Sequence, residues 1–176
     1  MKVGIFGATG QVGSVMREIL VEREYPIDSV RFFASSRSAG TELEFKHQKV
    51  VVEDVDKSNF DGIDVALFSC GAPASKILAR KVASAGALVI DNSSAWRMDP
   101  DVPLIVPEVN AGEIKNTAKS IIANPNCTTM VAMPVLFPLH QMWGLNSMVA
   151  TTFQAVSGAG SAWSRLPLHP SQVGCR

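Results

Sequence analysis

The feature that most restricts the fold is a glycine-spaced turn set between two patterns of different period. Val3-Gly4-Ile5-Phe6 is a short apolar run, and Gly7-Ala8-Thr9-Gly10-Gln11-Val12-Gly13 follows it directly. Val12, Val15, Met16, Ile19 and Leu20 then recur at i, i+3, i+4, i+7 and i+8, one face of a helix. A strand, a tight turn and a helix in that order place backbone amides where a pyrophosphate can meet them. The spacing is GxxGxxG, looser than the stricter GxGxxG, so a turn that only packs helix on strand is the competing reading.

The same alternation continues. Val30–Ala34 reads as a second strand, Val50–Val52 as a weaker one and Ile63–Ser69 as another. A helix is expected near Ala74–Ala85, then strands at Ala87–Asp91 and Ser120–Asn124. Buried strands joined by helices imply an α/β fold, a Rossmann-like, doubly wound, mostly parallel sheet with ligands at the carboxyl ends of its strands.

The end of the second strand bears on which nucleotide is bound. An NAD site wants a carboxylate there for the ribose hydroxyls. This chain offers Ser35, Ser36, Arg37 and Ser38, with no acid before Glu42. A guanidinium among hydroxyls suits a 2′-phosphate, so the expected cofactor is NADP.

Charge is unevenly spread. The 16 basic and 16 acidic residues cancel, which favours neither nucleic acid nor an anionic membrane as partner. Thirty of these residues lie at or before Lys119, leaving 45 residues, Ser120–Ser164, without a formal charge. Met130–Leu139 is half the length of a spanning helix and holds two prolines, so a buried core or subunit interface is expected there. Cys70, Cys127 and Cys175 are widely spaced, with no CxxC pair and no ligand spacing to His47, His140 or His169. Neither a disulfide framework nor a metal site is expected, and a reduced, cytoplasmic setting fits. The apolar N-terminal run is too short for a signal segment.

Asn124-Pro125-Asn126-Cys127-Thr128-Thr129 lies between a buried strand and an apolar helical stretch. A thiol at a helix N-terminus has its thiolate favoured by the dipole and free amides, as a nucleophile requires. An inert buried cysteine is the alternative, and the one that suits Cys70. Cys175 reads as an exposed tail thiol, His47 as a surface residue and His140 as a packed core or capping residue.

Five blocks, Gly7–Gly13, Asp91–Met98, Val106–Asn110, Asn124–Thr129 and Phe153–Gly160, occur in one order and together closely resemble the aspartate-semialdehyde dehydrogenase family. The resemblance implies that Cys127 attacks the aldehyde of aspartate 4-semialdehyde, that hydride passes to NADP to leave an acyl-thioester, and that phosphate releases aspartyl 4-phosphate. The biosynthetic direction, toward lysine, threonine and methionine, is the reverse. It also implies that Arg97 holds the phosphate, that Gln154 orients substrate beside Cys127, and that Asn126 flanks the site. Gly7, Thr9, Gly10, Gln11, Val12, Arg37 and Ser38 would contact the cofactor, with Ser157 and Gly158 on the nicotinamide side, and Gly71 and Asn92 would line the same cleft. The related N-acetyl-glutamyl-phosphate reductases are the second enzyme reading, and a nucleotide-binding remnant without turnover is the third.

The resemblance further implies residues 1–126 as the NADP-binding domain, 127–160 as the start of an α+β catalytic and dimerisation domain, and 161–176 as a divergent tail. Family members are about twice this long, with a catalytic histidine and most of a homodimer or homotetramer surface in their second half. The chain therefore reads as a truncated copy, expected to bind nucleotide but not to turn over alone. Its charge-free stretch would then expose a large apolar patch.

Overall fold

The computed structural model describes residues 1–154. Seven strands, β1 (Lys2–Phe6), β2 (Ser29–Ala34), β3 (Glu42–Phe45), β4 (Gln48–Asp54), β5 (Val65–Phe68), β6 (Leu88–Asp91) and β7 (Ile121–Ala123), form one sheet in the order β3-β4-β2-β1-β5-β6-β7. All pairings are parallel except β3 with β4. The chain runs outward from β1 through β2 to β4, then returns to β5 on the other side of β1. That reversal makes the carboxyl ends of β1 and β5 a topological switch point.

Alternation along the central strands feeds two cores. Val3 and Ile5 point to one face with Phe32 and Val52, while Phe6, Phe33 and Phe68 point to the other. Phe6 stacks on Phe33 and Phe68 at centroid distances of 4.4 and 4.3 Å. Helix α2 (Ala72–Ser84) covers this aromatic face with Leu78, Ala79 and Val82. Helix α1 (Gln11–Glu22) lies over the first core through Leu20.

Several expectations shift. The stripe on α1 is only partly inward: Met16 and Leu20 are half-buried, but Val12, Val15 and Ile19 remain exposed. The weak strand at Val50–Val52 is the centre of a seven-residue strand, because β3 pairs with it as a hairpin. The expected helix near Ala74 starts two residues earlier, with Pro73 in its first turn, where a missing N–H costs nothing.

The charge-free stretch departs most from a buried core. Ile121–Ala123 are buried, and Leu104 and Ile105 run alongside Ala123 to cover the sheet edge. A four-residue helix, α3 (Pro107–Asn110), leads through a 3-10 segment, Ala111–Asn116, toward β7. Beyond β7, helix α4 (Cys127–Trp143) has no buried residue. No helix among the described residues is long and apolar enough to cross a membrane.

Candidate active site

The glycine turn is built by close approach. Gly7 takes φ +84°, a left-handed conformation, and a Cβ there would sit 2.6 Å from the Ser69 carbonyl oxygen. Its N–H donates to the Phe33 carbonyl at 2.9 Å, tying the turn to the end of β2. Gly10 caps α1 in extended backbone and donates to Gly7 O at 3.0 Å. The first turn of α1 carries no acidic residue, so the positive end of the helix is free to face an anion.

These elements open onto a cavity of about 580 Å³ at the carboxyl edge of the sheet. Gly7, Thr9, Gly10, Gln11 and Val12 form one wall, Arg37 and Ser38 another, and Gly71, at the start of α2, a third. All eight expected cofactor residues within the described chain thus line one cavity. Asn92 and Ser93 line it too. Ser157 and Gly158 lie outside the described residues, as do Cys175 and His169. Arg37 is exposed and has no acidic partner among the described residues.

The second half of the site hangs from β6 and β7. The Asn124 N–H donates to Asp91 O at 2.9 Å, and buried Pro125 then turns the chain into α4. Asn126 is its N-cap: Oδ1 accepts from the Thr128 N–H at 3.0 Å and the Thr128 hydroxyl at 2.7 Å. Cys127, the first helical residue, is exposed. Its Sγ lies 3.6 Å from Asn126 Oδ1 and accepts from Gln154 Nε2 at 2.9 Å. Two residues 27 apart in sequence are thereby brought together. Asn126 is occupied as a cap through its oxygen, so Nδ2 is the group it can offer a ligand.

Arg97 is half-buried beside this turn. Its Nε donates to Asn124 O at 2.8 Å and its Nη2 to Asn92 O at 3.2 Å. The guanidinium thus bridges the loop after β6 to the loop that carries Cys127. Nη1 makes no hydrogen bond among the described residues and is the nitrogen open to an anion.

Sequence reasoning passed over Asp91 and Ser75, both fully buried. The signal for Asp91 was an acid closing an otherwise apolar strand, Leu88-Val89-Ile90-Asp91. Cys70 is half-buried, and burial, then the Asp91 carboxylate, push its thiol up to about 11. That fits an inert role. His140 is exposed rather than packed, and its Nδ1 accepts from the Leu145 N–H at 3.0 Å, closing the end of α4. His47 is a surface residue.

A mostly parallel sheet with a glycine turn at its switch point, a cavity along the carboxyl edge and an exposed cysteine in the first turn of the next helix defines a nucleotide-binding α/β domain followed by a thiol. The family model described as semialdehyde dehydrogenase, NAD binding domain, matches residues 2–117, and the chain belongs to that family. Aspartate-semialdehyde dehydrogenase of Streptomyces akiyoshiensis is 61% identical over 162 residues, 92% of this chain and 47% of that protein. The enzyme of Aquifex aeolicus is 51% identical, over 91% of this chain and 48% of that protein. Among solved structures, aspartate semialdehyde dehydrogenase II of Vibrio cholerae complexed with ASA superposes with a TM-score of 0.89 at 44% identity, covering 92% of this chain and 48% of that one. The Candida albicans enzyme with NADP gives 0.70 at 30% identity, covering 82% and 48%. The chain spans about half the length of the curated relatives it matches.

Proposed function

We propose that this chain is the nucleotide-binding, cysteine-bearing part of an NADP-dependent phosphorylating aldehyde dehydrogenase that interconverts aspartyl 4-phosphate and aspartate 4-semialdehyde. The observation that carries the reading is the contact of Gln154 Nε2 with Cys127 Sγ at the start of α4, on the same sheet edge as the glycine-lined cavity. The names of the relatives support the substrate.

The cavity fits a dinucleotide. The glycine turn sets the N-terminal end of α1, with no acid in its first turn, against the cavity where a pyrophosphate would sit, and the Arg37 guanidinium with the Ser38 hydroxyl suits a 2′-phosphate. Bound there, NADP supplies a hydride acceptor, and NADPH a donor. Cys127 is the nucleophile: its thiolate adds to the aldehyde carbon, and loss of hydride from that carbon leaves a thioester on Sγ. Phosphate then attacks the thioester carbonyl, the C–S bond breaks, and the thiolate returns. The Gln154 amide, already on Sγ, orients the carbonyl. Arg97 Nη1 holds the phosphate. In the reductive direction the same groups act in reverse order.

Residues 1–126 form the nucleotide domain in this reading, and α4 begins the catalytic and dimerisation domain. Its apolar outer face supports assembly as a homodimer or homotetramer. The reading places the protein in the cytoplasm, with no nucleic acid or membrane partner.

Fluorescence titration of the 176-residue chain with NADPH and NADH tests the cofactor half. At least tenfold tighter NADPH binding is expected, and Arg37→Ala should erase that preference. Cofactor-dependent change in the reactivity of Cys127 toward aspartate 4-semialdehyde tests the catalytic half. Equal, unsaturable binding of both nucleotides, or a thiol indifferent to cofactor, would overturn the proposal.

A further inference from the structure

Asp91 is fully buried at the carboxyl end of β6, with no cation paired to it among the described residues. Its carboxylate receives three hydrogen bonds: Ser75 Oγ–H at 2.9 Å and Ser93 Oγ–H at 2.7 Å on Oδ2, and the Ser93 N–H at 2.9 Å on Oδ1. Both hydroxyls are polarised from behind. Ser75 Oγ accepts the Trp96 indole N–H at 3.0 Å, and Ser93 Oγ accepts the Ala95 N–H at 3.1 Å. Each serine has one proton, and each directs it at Asp91. Donors converge on the carboxylate, and none of these groups offers it an acceptor.

Stability alone does not call for such a group. A buried charge is costly, and well-packed apolar replacements of buried ionic groups are often neutral or stabilising. The turn it organises gives it another use. Ser93 is held directly, Ala95 through Ser93, and Trp96 through Ser75. The residue after Trp96 is Arg97, whose guanidinium bridges Asn92 O and Asn124 O. The backbone of Asp91 closes the ring by accepting the Asn124 N–H.

We infer that Asp91 is the positioning residue for Arg97, with Ser75 and Trp96 as its relay: the buried carboxylate sets the path of residues 92–96, and so the place at which Arg97 meets both the Cys127 loop and a bound phosphate. This deepens the proposed function and rests on Arg97 holding the anion. Asp91→Asn keeps the shape but turns one oxygen into an amide N–H₂, which must face either the Ser93 N–H, donor against donor, or the point where both hydroxyls donate, so the convergent pattern cannot be kept. Ser75→Ala cuts the relay to Trp96 while leaving the carboxylate on Ser93.

The test is protection of Cys127 by inorganic phosphate against iodoacetamide, followed by mass spectrometry at the Cys127 peptide of the 176-residue chain, with NADPH affinity measured in parallel. Phosphate should protect the unmodified chain, and Arg97→Ala should abolish that protection. Without both results the reading of Arg97 fails and takes this inference with it. Given both, the half-protecting phosphate concentration should rise about tenfold in Asp91→Asn and about threefold in Ser75→Ala, with NADPH affinity held within twofold. Unchanged protection in the two variants overturns the inference. So does a parallel loss of phosphate and NADPH binding, which marks a merely structural role. If Asp91→Asn does not fold, Ser75→Ala decides by the same readings.

Discussion

In β5, Ala66 and Phe68 are fully buried between neighbouring strands and α2, whereas in α4 Val131, Val135 and Met142 are 79%, 63% and 68% exposed. The two regions are comparably apolar, but only the first is covered within the described chain. Apart from buried Asp91 and the Arg31–Glu53 pair, the sheet holds its charges on exposed turns and strand ends, and it closes its own aromatic core. Helix α4 has no charge to place outward. Val131, Pro134, Val135, Pro138, Leu139 and Met142 recur at helical spacing on its exposed side, while Ala132, Met133, Leu136 and Phe137 are only half-buried. A helix that is apolar all round belongs in an interior, and this one has none of its residues buried. The contrast shows that the sheet closes its own core, whereas the helix that begins at Cys127 leaves its apolar side uncovered within the described chain.

The sharpest way to break that contrast is to truncate one large apolar side chain in each region. Phe68→Ala should cost about 3–5 kcal/mol, because the stack with Phe6 leaves a cavity that cannot collapse. Val135→Ser should stay within about 0.5 kcal/mol and should lower dye binding to exposed apolar surface. Urea unfolding of the two variants measures the difference, and comparable losses would show that α4 is more tightly packed than its exposure implies.

The cysteines repeat the contrast in reactivity. With its thiol raised to about 11, Cys70 is on the order of one part in 10³ thiolate at pH 8, so peptide-resolved alkylation there should run at least ~100-fold slower than at exposed Cys127. Fast labelling of Cys70 would mean that the nucleotide half opens readily.

A smaller effect is expected at the turn. Gly7→Ala forces a Cβ against Ser69 O at positive φ and should cost about 1–3 kcal/mol, with NADPH affinity falling in the same titration. The smallest belongs to the Arg31–Glu53 pair, bonded at 2.8 and 2.7 Å but about a third exposed. Arg31→Met should cost about 0.2–1 kcal/mol near neutral pH. The Arg31 guanidinium holds the Glu53 carboxyl below its ordinary value, so the pair's contribution is present above the carboxylate range and lost as pH falls through it. The variant should therefore lose less stability between neutrality and pH 3 than the parent does, a difference readable from thermal melts.

Much of the sheet was legible because buried parallel strands leave apolar runs bounded by turn residues, as at Val3–Phe6 and Ile63–Ser69. The hairpin was not. Its turn residues Lys46 and His47 take φ of 47° and 65°, a conformation that glycine or asparagine would have announced. The face on α1 was legible but what covers it was not: periodicity gives a face without its partner, and Val12, Val15 and Ile19 remain uncovered. At the site, the glycine turn and Cys127 stood out through local context. The links from Ser75 to Asp91 and to Trp96 span 16 and 21 residues in sequence, and no spacing rule reports such a network.

In the proposed mechanism, the cap at Asn126 narrows which side chain can precede Cys127. Aspartate would terminate the helix as well, yet it would set a full negative charge 3.6 Å from the sulfur and discourage both thiolate and incoming phosphate. Alanine would avoid that repulsion and let the first turn fray. A neutral amide meets both demands, so substitution at position 126 should be tolerated by foldability and by chemistry along different axes, and few residues satisfy the two at once.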